Sequence, residues 1–290
     1  MVPVSKILVP VDFSERAFSA VRYARNLACR FHAELILMHV LPPIPYAMGG
    51  FEFGGVVMTD AFAERLPEAR KELDGFLANE LIGMKVTRLV LEGDPAQMIV
   101  DHAHGARVDL IVIPTHGYGP FRRFLLGSVT AKVLHDAECP VLTGVHLEEG
   151  PILEATPLRK VLCAVDLGPQ SEKVVRWADQ MAQEFQGELV LVHAMSLGET
   201  HSEEMFDPEW RVALEERVRE KLEELLAGVS TKATIFTESG NPAEVVHSVA
   251  QRFQADLAVI GRSEAAGMFG RLRTNAYSII RQSPCPVVSV

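Results

Sequence analysis

Ile7-Leu8-Val9-Pro10-Val11-Asp12 is a short apolar run that ends on a carboxylate, and it returns 154 residues later as Val161-Leu162-Cys163-Ala164-Val165-Asp166. The next apolar run, Glu34-Leu35-Ile36-Leu37-Met38-His39-Val40, returns at the same spacing as Glu188-Leu189-Val190-Leu191-Val192-His193-Ala194. Beyond it the spacing shrinks. Gly93-Asp94-Pro95-Ala96 and Val108-Asp109-Leu110-Ile111 return after 147 residues as Gly240-Asn241-Pro242-Ala243 and Ala255-Asp256-Leu257-Ala258. Cys139-Pro140-Val141-Leu142 returns after 146 as Cys285-Pro286-Val287-Val288. Order is kept while the offset falls in steps, so this is a tandem duplication with loops shortened in the second copy. A repeat this long is a whole domain rather than a solenoid unit. In a chain of 290 residues it predicts two domains, 1-147 and 159-290, with a linker over 148-158 where Glu148-Glu149-Gly150-Pro151 interrupts the pattern.

Within each copy, strand and helix patterns alternate. Residues 6–11 form an apolar run too short for a helix, as expected of a strand covered on both faces. Ser14 then caps a helix whose apolar positions, Ala17, Val21, Ala24, Ala28 and Phe31, are spaced by four and three. A second strand follows over 34–40 and a long helix over 59–81. A third strand over 86–91, a helix over 95–104, a fourth strand over 108–114, a helix over 128–135 and a last strand over 141–145 complete the copy. In copy two the long helix begins at Asp207-Pro208, a cap followed by proline at the first helical position. Its buried face is Trp210, Leu214, Val218, Leu222 and Leu225. Alternating strands and helices predict α/β domains, each a five-stranded parallel sheet with helices on both faces. Such sheets bind ligands beyond the carboxyl ends of their strands, where the strand order reverses. The residues after strands one and four are therefore the ones to inspect. Pro42 to Val57, rich in glycine, proline and aromatics, reads as a lid, an interaction surface or a tolerated insertion.

A net charge of −10 argues against a nucleic-acid partner, which needs a basic footprint. No apolar run approaches the roughly 18 residues of a membrane span, and the N-terminus enters a strand pattern without the features of a signal peptide. The four cysteines (Cys29, Cys139, Cys163, Cys285) form no CxxC and read as buried thiols in a reducing compartment. We expect a cytoplasmic protein.

The chemistry sits in Pro114-Thr115-His116-Gly117-Tyr118-Gly119-Pro120-Phe121-Arg122-Arg123-Phe124-Leu125-Leu126-Gly127-Ser128-Val129-Thr130, which spans from the end of strand four to the start of a helix. Gly117 and Gly119 allow backbone geometries that a side chain forbids. At Gly127-Ser128 the free amides and dipole of the helix N-terminus favour an anion such as phosphate. Ser128 and Thr130 would add hydroxyl donors. No Gly-Lys-Ser/Thr follows, so this is not a Walker loop.

The stretch resembles the nucleotide loop of universal stress proteins, G-x2-G-x9-G-S/T. Gly117, nine residues and Gly127-Ser128 fit it, while Pro114 stands where the first glycine belongs. Pro10-Val11-Asp12-Phe13-Ser14, His39-Val40, Gly93-Asp94-Pro95-Ala96 and Cys139-Pro140-Val141 look like other patterns of that family, and the resemblance covers both copies. It implies tandem Rossmann-like domains of the adenine nucleotide alpha hydrolase-like type, and an ATP site in members that bind nucleotide. Carried over, Asp12 and Val40 would face adenine and ribose with Pro10 and Val11 beneath. Thr115, His116 and Gly117 would line the phosphate path, and Gly127, Ser128, Val129 and Thr130 would hold the phosphates, with magnesium as a possible counter-ion. Proline lacks the backbone N–H, so Pro114 costs affinity if that group is needed there.

Copy two keeps Asp166 and Gly261 but carries Glu264 in place of the second glycine, with Arg273 or Thr274 at the helix start and Ala194 opposite Val40. A carboxylate beside a triphosphate is repulsive, so the second site is expected to bind nucleotide weakly or not at all, unless Arg262, Arg271 and Arg273 hold another anion. His39 and His193 read as structural. His102 and His104, two apart on a helix, point apart and make a poor metal pair. Arg122 and Arg123 are either phosphate clamps or a solvated face.

Three functions compete. The first is a nucleotide-binding regulator of the universal stress type, at most a slow ATPase, since no general base or metal-carboxylate pair accompanies the loop. The second is an interaction module that binds no nucleotide. The third is an enzyme on a related scaffold, disfavoured because Asp12-Phe13-Ser14-Glu15 holds no glycine-rich phosphate loop. The last strands would be sheet edges if unpaired. The resemblance implies that they pair between domains, and self-association through these strands into a homodimer is expected.

Overall fold

The computed structural model describes residues 4–43, 61–115, 126–144, 158–195, 208–262 and 274–290. The first copy runs β1 (Lys6–Pro10), α1 (Glu15–Phe31), β2 (Glu34–Leu41), α2 (Ala61–Gly75), β3 (Val86–Glu92), α3 (Pro95–Gly105), β4 (Leu110–Val112), α4 (Ser128–Asp136) and β5 (Val141–Thr143). The second runs β6 (Lys160–Ala164), α5 (Ser171–Glu184), β7 (Glu188–Met195), α6 (Pro208–Leu226), β8 (Ala233–Ser239), α7 (Pro242–Phe253), β9 (Leu257–Ile260), α8 (Thr274–Gln282) and β10 (Val287–Ser289).

Each copy is a parallel sheet of order 3-2-1-4-5, and the two sheets join edge to edge into ten strands, β3-β2-β1-β4-β5-β10-β9-β6-β7-β8. The join is antiparallel, with Leu142 opposite Val288. Pairing between the last strands is thus realised within one chain. β5 has β4 on one side and β10 on the other, so the strands expected to carry homodimer formation have no open edge left for a second chain. The outer strands of the described sheet are β3 and β8.

Side chains alternate across a strand, and the core divides accordingly. Ile7, Val9 and Val11 lie on the α1 and α2 side of the sheet, whereas Leu8, Ile36, Met38 and Val40 lie on the α3 and α4 side. Both copies use the same fastenings. Asp109 Oδ2 accepts the Ser5 and Lys6 N–H groups at 2.8 and 2.9 Å, and Asp256 Oδ2 those of Arg159 and Lys160 at 2.9 Å each. These bonds tie the start of each first strand to its fourth. Asp94 and Asn241 cap α3 and α7, each with proline in the first turn. The preceding Gly93 and Gly240 have φ of +149° and +150°, a conformation that L side chains rarely adopt.

The domains also meet through their first helices. Phe31 of α1 packs edge-on against Phe185 of α5 at 5.9 Å between centroids, and Arg30 pairs with Glu184 at 3.3 Å. Residues 31 and 185 occupy the same place in their respective repeats, so the contact is isologous, as at a two-fold axis.

Three expected elements are shorter than their patterns. The helix over 59–81 is α2, which stops at Gly75, because Leu77 takes a left-handed φ of +49°. Phe76, Leu77 and Leu81 remain buried, so the apolar pattern outlasts the helix. The fourth and fifth strands reduce to three residues each, the length over which the ladders pair. On α6, Val218 and Leu222 are buried and Leu214 and Leu225 partly so, while the Trp210 side chain lies outside the described residues.

Candidate functional site: one cleft at the end of each sheet

In a 3-2-1-4-5 sheet the strand order reverses between β1 and β4, and the crevice lies beyond their carboxyl ends. Val11 and Asp12 leave β1 there. The Val11 N–H donates to Met38 O at 2.8 Å. His39 Nδ1 lies 2.7 Å from Val11 O; a carbonyl can only accept, so Nδ1 carries the hydrogen. His193 does the same to Val165 O at 2.9 Å. Both histidines are therefore structural clamps that hold the backbone just before the aspartate. Asp12 is half-buried, and its Oδ1 accepts Ser14 N–H at 3.1 Å and Ser14 Oγ–H at 2.5 Å. Ser14 Oγ in turn caps α1 through Ala17 N–H. Phe13, at φ +61°, packs its ring against that of His39 at 4.5 Å between centroids, tilted by 38°. The turn that presents Asp12 is thus held from several sides.

On the β4 side, Pro114 and Thr115 are buried. The Gly127 N–H donates to Thr115 O at 2.8 Å, and Thr130 Oγ1 donates to Pro114 O at 2.8 Å. These two bonds pin the start of α4 to the end of β4. The first backbone bond of α4 runs from Ala131 N–H to Gly127 O. The amides of Ser128, Val129 and Thr130 precede it, with no side-chain cap at Gly127. Such amides, with the helix dipole behind them, suit an anion. Ser128 is exposed, Val129 half-buried and Thr130 buried.

Of the sequence-derived site residues, Pro10, Val11, Asp12, Val40, Pro114, Thr115, Gly127, Ser128, Val129 and Thr130 fall within the described structure. His116 and Gly117, with Arg122 and Arg123, lie outside it, as does Pro42 to Val57 from residue 44 onward. Val11 packs into the α1 and α2 layer and Val40 into the α3 and α4 layer. The two side chains thus lie on opposite faces of the sheet. Among the described residues no three His, Cys, Asp or Glu side chains group as metal ligands. His104 Nδ1 pairs with Glu138 Oε2 at 2.8 Å, while burial beside Lys6 lowers the pKa of His102.

The second copy has an open cleft of about 580 Å³ in the equivalent place, bordered by Val165, Asp166, His193, Ala194, Gly261 and Asn275 among others. Helices α4 and α8 are both nine residues long and start at Ser128 and Thr274, so Arg273 takes the place of Gly127 and Ala276 that of Thr130. The hydroxyl that ties α4 to β4 therefore has no counterpart. Asp166 Oδ1 accepts Gly168 N–H at 2.9 Å, and α5 starts without a side-chain cap.

Arg262 borders this cleft, and its guanidinium crosses the domain boundary. Nη1 donates to Ala137 O at 2.7 Å and Leu134 O at 3.4 Å, and Nη2 donates to Cys139 O at 2.6 Å. The residue is only 6% exposed. A buried cation satisfied by carbonyls at a helix C-terminus is favourable in both hydrogen bonding and dipole. No local pattern reveals this, because the partners lie 123 to 128 residues away. Glu264, Arg271 and Arg273 lie outside the described residues.

Comparison with known proteins agrees with this architecture. A universal stress protein of Mycolicibacterium smegmatis is 28% identical over 292 residues, covering 98% of this chain and 96% of its own length. Universal stress protein MJ0531 of Methanocaldococcus jannaschii is 36% identical over 141 residues, 47% of this chain and 79% of that protein. The crystal structure of a universal stress protein from Archaeoglobus fulgidus superposes with a TM-score of 0.68 at 22% identity, over 99% of this chain and 96% of that one, a likeness of fold. The model of the universal stress protein family matches twice, over residues 3–143 and 157–290, and the chain therefore belongs to the universal stress protein family as a tandem two-domain member.

Proposed function

We propose that the N-terminal domain binds an adenine nucleotide, ATP with magnesium as its counter-ion, and that occupancy regulates the protein in a stress response. The observation that carries this reading is the pinned start of α4. Thr130 and Gly127 fix an uncapped helix N-terminus across the switch point from Asp12. A nucleotide there places its base and ribose by Asp12 and Val40 and its phosphates on the amides of Ser128, Val129 and Thr130. Magnesium then arrives with the phosphates and needs no protein cage. Asp12 is an acceptor for ribose or adenine rather than a base, so hydrolysis is slow or absent. The domains act as 1-147 and 159-290, and the protein works in the cytoplasm. Pro114 favours a second reading, an interaction module that acts through protein partners, because proline offers no N–H to a ligand.

Gly127→Glu separates the two. It puts a carboxylate on the phosphate path at an N-cap position whose backbone is already extended. ATP binding by calorimetry should vanish while the circular dichroism spectrum stays that of the parent. Undiminished binding by this variant would remove α4 from the site.

A further inference from the structure

We propose that the second domain carries a ligand site of its own, a groove between α5 and α6 that takes a small aromatic carboxylate. It is independent of the nucleotide reading of the first domain. The groove measures about 330 Å³, near the lower end of small-molecule sites, roughly 300 to 1,000 Å³. Leu167 and Leu225 form its apolar part, and Arg176 and Lys221 border it together with Glu172 and Glu224.

In the first copy aromatic rings stand at this place. Phe18 and Phe76 stack with centroids 4.3 Å apart, and Phe13 meets Phe76 edge-on at 5.7 Å. At the repeat spacing of 154, Leu167 replaces Phe13 and Glu172 replaces Phe18. Leu225 stands three residues after the buried Leu222, as Phe76 stands three after the buried Leu73. Phe13 and Leu167 share a left-handed backbone, with φ of +61° and +57°, so the side chain is what differs there. Three rings have become two leucines and a glutamate. A ring supplied from outside would restore the lost apolar contact.

The second copy has lost a carboxylate as well. In the first, the Arg22 guanidinium grips Glu80 at two points, Nε donating to Oε2 at 2.9 Å and Nη2 to Oε1 at 2.7 Å. Arg176 is the counterpart of Arg22. Counted from Leu222 or from β8, the counterpart of Glu80 is Val229 or Ala227, and neither is acidic. Gly228, between them, borders the groove. Arg176 pairs instead with Glu172, one turn back on α5, and an exposed pair of this kind contributes little. The two acids and two bases around the groove balance, so a ligand carboxylate meets no net charge. The guanidinium fork matches a carboxylate at two points, as Arg22 does with Glu80. A ring and a carboxylate a few bonds apart therefore supply both groups that the first copy keeps and the second lacks.

The test is calorimetric titration of the full chain with 3-phenylpropanoate, which should saturate at about one equivalent per chain. The uncharged 3-phenylpropanamide and the ringless propanoate should each bind at least about tenfold more weakly. Arg176→Gln, at an exposed position, should cost at least about tenfold in affinity for the acid. Gly228→Glu should weaken it several-fold by offering Arg176 an internal carboxylate, and a Cβ at this glycine meets nothing within 4 Å. Leu167→Phe combined with Leu225→Phe returns two of the first copy's rings and should abolish binding. The proposal is overturned if 3-phenylpropanoate does not bind, if the amide binds as tightly, if Arg176→Gln leaves affinity unchanged, or if the double phenylalanine variant, folded by circular dichroism, binds like the parent.

Discussion

Above β4 and above β9 the same backbone plan carries two different sets of side chains. In the first copy Thr130 and Gly127 tie α4 to the end of β4, and Gly127 brings no side-chain cap to the helix start. In the second Ala276 and Arg273 occupy those places, and the adjoining Arg262, which borders the cleft, donates to Ala137 O of the other domain. The volumes are traded too. A Cβ on Gly261 would meet Val174 Cγ2 at 3.1 Å, whereas the first copy has Pro114 at that position and Ala20 where the second has Val174. A larger residue on the strand end goes with a smaller one on the helix. Duplication thus left one fold in two copies, which diverged through a few substitutions around each strand end.

The sharpest way to break this comparison is to move charge between the copies. Gly127→Glu should lower ATP affinity at least about a hundredfold, because juxtaposed like charges cost several kcal/mol. Arg273→Glu, the same carboxylate at the matching place, should leave ATP binding unchanged. Calorimetry on both variants decides, and equal losses would mean that the nucleotide spans the two domains.

Arg262→Ala comes next. It removes the cation from three buried carbonyls, at a cost of about 2–4 kcal/mol in urea unfolding. Thr115→Ala, at the corresponding place in the first copy, should cost less. Similar losses for both would show that the domain-spanning bonds carry little stability.

Thr130→Val should cost about 1 kcal/mol by deleting the bond to Pro114 O. It should also weaken ATP binding several-fold as the start of α4 loosens. Unchanged affinity with the stability loss would make that bond purely structural. Pro114→Gly should have the smallest effect on stability, a loss of about 0.4–1 kcal/mol through a freer unfolded chain. Its effect on affinity tells whether the N–H at this position reaches a ligand: a several-fold gain means that it does, and no change means that the position offers only packing.

The cysteines check the core independently. Burial raises the pKa of Cys163, and of Cys139 and Cys285 to about 11 each, so these thiols stay protonated near neutral pH. Cys29 is exposed. A neutral-pH alkylation time course should label Cys29 first and Cys163 last.

The sequence made the fold legible because each signal for it is local or repeated. The apolar runs before Asp12 and Asp166 mark the first strands, and Gly-Asp-Pro and Gly-Asn-Pro mark two helix starts through one mechanism, a proline after a capping side chain. The ends were less legible where packing rather than propensity decides. Phe76, Leu77 and Leu81 extend the apolar pattern of α2 although Leu77 leaves the helix. The helix-start side of the site was legible from Gly127 to Thr130, since an uncapped N-terminus follows from residue type. The bond from Thr130 to Pro114 depends on how α4 docks, which no spacing reveals. The bonds of Arg262 to Leu134, Ala137 and Cys139 were illegible for a similar reason: only the domain pairing supplies those carbonyls. The edge strands were read correctly as partners for each other, and for that reason they are not free to join two chains.

The central claim is that the two copies differ in what they bind. Its most direct test is the stoichiometry of ATP with magnesium on the parent chain by calorimetry, after any co-purified nucleotide has been stripped and identified. The account predicts about one ATP per chain. Two per chain would contradict the asymmetry, and none, with a folded protein, would contradict the nucleotide site itself.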